Sequence, residues 1–114
     1  MPKATPPGRS IVSRQAVVDL VRTATLGSYG VTGIADPGPG ARLLSLLGAA
    51  EPGIRVRIVP RLEIDLWISV AWGLPVAEVS RQLDSAVRFA INSALGRDVD
   101  ALVVHVNGLR VQGR

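Results

Sequence analysis

The chain has no cysteine among its 114 residues. This excludes a disulfide framework, a thiolate nucleophile and a zinc–thiolate site, and the composition suits a reducing interior. Aromatic side chains are scarce, at 4% of the sequence against 47% for hydrophobic residues as a whole. We therefore expect a mainly aliphatic core. A chain of this length forms one domain with a core of modest size.

Long hydrophobic runs are missing as well. No uninterrupted apolar segment approaches the ~20 residues of a membrane-spanning helix, and the opening MPKATPPGRS lacks the apolar core of a secretory signal. We therefore expect a soluble protein inside the cell. Positive charge is in modest excess, with 12 arginines and one lysine against nine acidic residues and a formal net charge of +4. This favours acidic partners, nucleic acid or anionic membrane without choosing among them.

The strongest pattern lies in residues 53–96. Apolar and polar residues alternate over 54–58 and again over 62–70, which is the period of a half-buried strand. The two apolar sets share a face only if even positions pair with even, and the three-residue loop Val59-Pro60-Arg61 provides that register. We predict an antiparallel hairpin with one dry face. Its other face would carry two opposite-charge pairs, Arg57 with Glu63 and Arg55 with Asp65.

Two amphipathic helices are predicted to cover the dry face. Apolar residues recur at three- and four-residue spacing after Ser13, a plausible N-cap, and again after Pro75, up to a stop at Gly96. The inward positions of the first helix are Ala16, Val17, Leu20, Val21 and Ala24. Those of the second are Val76, Val79, Leu83, Ala86, Val87, Ala90, Ile91 and Ala94, with Phe89 packing at the edge of the stripe.

The remaining segments complete an α+β fold. Short strands are predicted at 9–12, 31–35 and 101–111, the last with a bulge at Gly108. We also predict a loop at 36–40 and one or two helical turns at 41–47. Residues 1–8 are expected to form a flexible N-terminal tail and residues 9–114 a single domain. We expect two helices packed on one face of a small mixed or antiparallel sheet, in the order strand-helix-strand-strand-strand-helix-strand.

The residues that could carry chemistry do not form a convincing catalytic or metal site. His105 has no second imidazole or thiolate beside it in the sequence, so a hydrogen-bonded histidine at the sheet surface is the favoured interpretation. Glu63 and Asp65 share a strand face about 7 Å apart, but the arginines opposite them would hold both ionised. We therefore predict no enzyme activity, no catalytic residues and no bound cofactor or metal.

Gly27 and Gly30 suggest an alternative function, nucleic-acid binding. Gly27-Ser28-Tyr29-Gly30 fits the GxxG loop with which KH modules grip a nucleic-acid backbone. That loop joins two helices in KH modules, whereas here it joins a helix to a predicted strand and contains no basic residue. A helix C-cap followed by a turn is the favoured interpretation, and nucleic acid is the less favoured partner.

The tryptophans are the most suggestive residues. Trp67 shares the polar face of the hairpin with Arg55 and Arg57, where an indole can stack on a guanidinium or form the centre of a protein contact. Alternatively, a helix or loop covers this face and Trp67 belongs to the core. Trp72 is expected to pack at the corner between hairpin and helix. Arg55, Arg57 and Trp67 are our candidate interaction surface.

Several segments, in this order, resemble the alkaline shock protein family, the Gls-type envelope stress response proteins of Gram-positive bacteria. The resemblance runs from about Gly8 to Val111. It rests on GRSIVSRQAVVDLV, on YGVTGIA, on GIRVRIVPRLEIDLWISVAWGLPVAEVSRQLDSAVRFAI and on the closing ALVVHVNGL. The chain departs from the family in the Pro/Gly/Ala-rich residues 36–52, in the tryptophan before Gly73, and in its arginine-rich character.

The resemblance implies a non-enzymatic protein of cell-envelope homeostasis and stress. Members are cytoplasmic, and some self-associate or are held at the inner face of the membrane by a small membrane-anchored partner. The family has no catalytic residues to carry over. Self-association and a membrane-anchored protein are therefore the partners that the resemblance implies for this chain, which itself has no predicted membrane span.

Overall fold

The computed structural model describes residues 13–35 and 53–110 of the chain. Its helices and strands are α1 (Arg14–Leu26), β1 (Val31–Ile34), β2 (Ile54–Arg57), β3 (Glu63–Ala71), α2 (Val76–Leu95) and β4 (Ala101–Arg110). The predicted tail at 1–8, strand at 9–12, loop at 36–40 and helical turns at 41–47 lie outside the described residues. Within the described part, the order of helices and strands is the predicted one.

Strand β3 is the centre of a four-stranded sheet. β4 pairs with it in parallel over its whole length, while β1 and β2 pair with it antiparallel, one after the other, through Ile68–Val70 and Glu63–Leu66. β1 and β2 therefore share one edge of β3. They meet at Trp67, whose carbonyl oxygen accepts from the Ala35 N–H at 2.8 Å and whose N–H donates to the Gly53 carbonyl at 2.9 Å. The sheet is mixed, which is one of the two arrangements that the sequence left open.

The predicted hairpin register is confirmed. Arg57 lies opposite Glu63, and Arg55 lies opposite Asp65. The even positions of β3 are buried, and so is Leu62 just before the strand. From residue 54 to 57 and from 63 to 68, exposure and burial alternate as the parity argument predicts, whereas Ser69, predicted on the polar face, is buried.

Both helices pack on the dry face of the sheet, which confirms the predicted fold class. The residues of α2 in the core recur every four positions and form a narrow seam, whereas α1 buries a wider stripe. The core consists of Val17, Val18 and Val21 from α1; Ile54 and Val56 from β2; Leu62, Ile64, Leu66, Ile68 and Val70 from β3 and the residue before it; Val79, Leu83, Val87 and Ile91 from α2; and Val99. It contains no aromatic side chain, as the composition predicts.

The helix ends are also as predicted. The Ser13 hydroxyl accepts a hydrogen bond from the Ala16 N–H at 3.0 Å, which caps α1. Pro75 directly precedes the first residue of α2. Gly96 adopts the left-handed conformation with φ 65°, and its N–H donates to the Asn92 carbonyl at 2.8 Å. Glycine reaches this conformation without steric cost, and it ends the helix.

Some predicted inward positions are wrong. Phe89 is 73% exposed and Val76 is 38% exposed, and Ala94 is exposed as well. Phe89 lies two positions from both Val87 and Ile91, which is about 200° around the helix, so it points away from the seam. Val18 and Thr25 are buried although they were absent from the predicted inward set of α1.

Candidate interaction surface on the open face of the sheet

The face of the sheet opposite the two helices is covered by no helix or strand among the described residues. We call it the open face. It presents the odd-numbered positions of three adjacent strands, which the register brings side by side. Its side chains are Arg55 and Arg57 from β2, Glu63, Asp65 and Trp67 from β3, and Val103 and His105 from β4. All three residues of the predicted interaction surface therefore lie on one face.

Trp67 lies at the centre of this face and stacks on a histidine. The parallel register sets His105 beside Trp67, and their rings lie 4.5 Å apart between centroids at an interplanar angle of 10°. His105 is on the face opposite Leu102 and Val104, as expected from the strand alternation. The sequence alone does not connect His105 with Trp67. Both residues occupy odd-numbered strand positions, which is compatible with a shared face. This becomes informative only once β3 and β4 are known to be neighbours.

Arg55 contacts the same indole. Its Cζ atom lies over the Trp67 ring, 5.3 Å from the centroid, a distance at which a guanidinium is attracted by the π-system. One aromatic side chain therefore contacts a cation from β2 and an imidazole from β4. The side chain of Trp67 is half-buried. No described helix covers it, and the alternative of a covering loop is not tested, because residues 36–52 lie outside the described part of the chain.

One of the two predicted ion pairs is not formed. Asp65 faces Arg55 across the strands, but its Oδ1 lies 3.2 Å from Nε2 of His105, and Arg55 lies over the indole instead. The strand neighbours on both sides of β3 compete for Asp65, and β4 supplies a partner that the hairpin pattern could not reveal. The expectation that Arg55 is neutralised by Asp65 is therefore wrong.

The second predicted pair is confirmed and extended. Arg57 Nη1 lies 3.4 Å from Glu63 Oε1. Arg61, in the hairpin turn, places Nη2 3.0 Å from Glu63 Oε2. Glu63 therefore lies between two guanidinium groups. Both arginine side chains are largely exposed, so each pair contributes on the order of 0–1 kcal/mol to stability.

The other candidate residues take structural positions. Gly27 caps α1, its N–H donating to the Thr23 carbonyl at 3.2 Å, and the segment 27–30 connects α1 to β1 rather than two helices. Trp72 is 66% exposed, so its predicted packing at the corner of hairpin and helix is wrong. In the described part of the chain, no three His, Asp or Glu side chains are grouped so as to hold a metal ion. No helix there is long and apolar enough to cross a membrane.

Solved structures with the same fold exist among proteins of low sequence similarity. The copper form of the MamM C-terminal domain is 20% identical, with a TM-score of 0.53 over 89% of this chain and 90% of that one. A tryptophan-to-alanine variant of the same domain gives a TM-score of 0.54 at 18% identity, over 90% and 88% of the two chains. These similarities show that the two proteins share an α+β fold, and they carry no information about function.

Sequence comparison gives the family. The model of the alkaline shock protein 23 family, described as having a cell envelope-related function, matches residues 3–111. The chain therefore belongs to this family. It is also similar to the uncharacterized protein YloU of Bacillus subtilis (strain 168), with 26% identity over 108 residues that cover 91% of this chain and 90% of the relative. The resemblance found in the sequence is confirmed, and a function related to the cell envelope follows from it.

Proposed function

We propose that this chain is a non-enzymatic protein of cell-envelope homeostasis and stress response, which acts by contact with other proteins. It self-associates or binds a membrane-anchored partner at the inner face of the cell membrane. Family membership supports the envelope role. The contact mechanism is supported by the structure, because its most conspicuous polar and aromatic cluster lies on a broad strand face and not in a cleft.

The observation that carries the proposal is the row formed by Arg55, Trp67 and His105 across three strands of the open face. Tryptophan and arginine are the side chains most enriched among residues that dominate protein–protein binding energy. Here they are held against one another before any partner arrives, which lowers the entropy lost on binding. Val103 is 47% exposed and extends the same face with apolar surface.

Replacing Trp67 with alanine tests the proposal. We expect Trp67→Ala to shift the sedimentation coefficient towards that of the monomer, or to abolish capture of a membrane-anchored protein from the solubilised membrane fraction. Losing a central interface tryptophan typically weakens binding by about 2 kcal/mol or more. Circular dichroism should show a folded variant, since the indole is only half-buried.

Trp72→Ala is the matched control, because Trp72 is 66% exposed and lies in the turn after β3, away from the open-face cluster. It should leave both sedimentation and capture unchanged. If Trp67→Ala behaves like wild type in both experiments, the open face is not the contact surface. If Trp72→Ala has the larger effect, the contact surface lies at the β3–α2 end of the domain.

A further inference from the structure

Arg55 is a cation on the open face for which the described part of the chain supplies no ionic partner. Among the described residues it makes no hydrogen bond and no ion pair, and its contact with Trp67 is of the cation–π type. The other arginines of the hairpin are engaged, Arg57 and Arg61 both by Glu63. Asp65, the carboxylate nearest to Arg55 in register, is held by His105.

The contact with the indole places this cation against a fixed part of the sheet. A guanidinium that lies over an aromatic ring keeps the N–H donors at its edge available for a planar oxyanion, which it can bind through two parallel hydrogen bonds. The indole is itself fixed by its stack with His105. Less side-chain freedom is therefore lost when a ligand binds than for an arginine extended into solvent.

The charges around Arg55 indicate which partner fits. On a second copy of the open face, Glu63 lies between two arginines and Asp65 contacts the histidine, so both carboxylates of that face already have partners of their own. The chain also carries a net charge of +4, and two copies repel each other at long range. An acidic segment of a different protein complements both the local cation and the overall charge.

We infer that Arg55 and Trp67 form a binding site for a carboxylate side chain from an acidic segment of a partner protein. The inference rests on the proposed function, because it specifies the chemistry of the partner that the open face holds. The carboxylate pairs with the guanidinium edge. An apolar side chain of the same segment contacts Val103, which lies beside Asp65 in the register.

The test uses the full chain and a hexaglutamate peptide, with hexaglutamine as the uncharged control. The two tryptophans give two indole N–H signals in a proton–nitrogen NMR spectrum, so Trp72 serves as an internal reference. We expect hexaglutamate, and not hexaglutamine, to shift the Trp67 signal while the Trp72 signal stays in place. The affinity should fall with increasing salt, since exposed charges are screened.

Matched arginine variants separate a site from general charge attraction. Arg55→Gln should weaken hexaglutamate binding at least tenfold, and Arg55→Lys should weaken it severalfold because an ammonium cannot form the paired hydrogen bonds. Arg14→Gln removes the same charge from the exposed start of α1 and should change the affinity less than twofold. Equal losses for Arg55→Gln and Arg14→Gln would overturn the site, as would absence of hexaglutamate binding.

Vesicles of phosphatidylglycerol provide the remaining comparison. If the vesicles bind in a way that depends on Arg55 while hexaglutamate does not bind, the ligand of the site is a lipid surface and not an acidic protein segment. That result would contradict the inference. The proposed function is tested separately by Trp67→Ala. If that variant loses assembly or capture while hexaglutamate fails to bind, the open face is an interface but its partner is not acidic. If hexaglutamate binds while assembly and capture are unaffected by Trp67→Ala, the carboxylate site stands and the proposed contact mechanism fails.

Discussion

Gly30 shows how a single position can be fixed by packing. Its φ of 79° lies in the left-handed region, and a Cβ atom there would come within 2.5 Å of Val79 Cγ2 and 3.1 Å of Leu74 Cδ1. Val79 is fully buried, and as a β-branched residue it has little freedom to rotate away. The close approach of the α1–β1 turn to the start of α2 therefore requires glycine, independently of any nucleic-acid role for the segment 27–30.

Alanine substitutions at three glycines separate backbone strain from steric overlap. Gly30→Ala should lower the free energy of unfolding by about 2–4 kcal/mol, since it combines a positive φ with a clash in a packed core. Gly73→Ala meets no atom within 4 Å but has φ 93°, so strain alone should cost about 1–2 kcal/mol. Gly33→Ala has neither problem and should be close to neutral. Urea denaturation of the three variants checks this order, which a Gly33→Ala variant less stable than Gly30→Ala would contradict.

At the scale of the elements, α2 illustrates what apolar periodicity can and cannot predict. The seam Val79, Leu83, Val87 and Ile91 was identified from spacing alone, and all four side chains are buried. Phe89 was assigned to the edge of the stripe because large apolar residues are usually buried, yet it points to solvent. Geometry around the helix axis would have excluded it, since it lies on the opposite side from the seam.

The two sides of α2 should respond differently to truncation. Leu83→Ala removes a fully buried side chain and should lower the free energy of unfolding by about 2–5 kcal/mol, through lost burial and the cavity left behind. Phe89→Ala, at 73% exposure, should change it by less than about 0.5 kcal/mol. Thermal or chemical denaturation of both variants measures the difference. A loss of more than about 2 kcal/mol for Phe89→Ala would mean that this side chain is covered in solution.

Of the strand pairings, the sequence predicts the register of the β2–β3 hairpin but not the pairing of β3 with β4. Parity alone determined the hairpin register, because a slip of one residue would have moved every apolar side chain to the wrong face. The sequence does not decide whether β4 pairs with β3 in parallel or antiparallel. The partner of Asp65 depends on that pairing, so the ion pair with Arg55 was predicted where the structure has a contact with His105.

In the whole molecule, the two faces of the sheet have different roles: one packs against the helices, and the other is the open face. The aliphatic core between helices and sheet accounts for the fold, which MamM C-terminal domains share at about 20% identity. The side chains on the other face have no role in that core. The sequence predicts that Arg55, Arg57 and Trp67 share this face. It does not predict the contacts among its side chains, because these depend on the neighbouring strand β4. We propose that the protein meets its partners through this open face.

Site-specific photocrosslinking in living cells tests this claim most directly. A photoreactive phenylalanine analogue placed at Val103 reports on the open face, and the same analogue at Phe89 reports on the exposed side of α2, with both positions accessible to solvent. We predict protein adducts from position 103 that disappear when Trp67→Ala is added, and few or none from position 89. Adducts from position 89 with none from position 103 would show that the open face is not the contact surface.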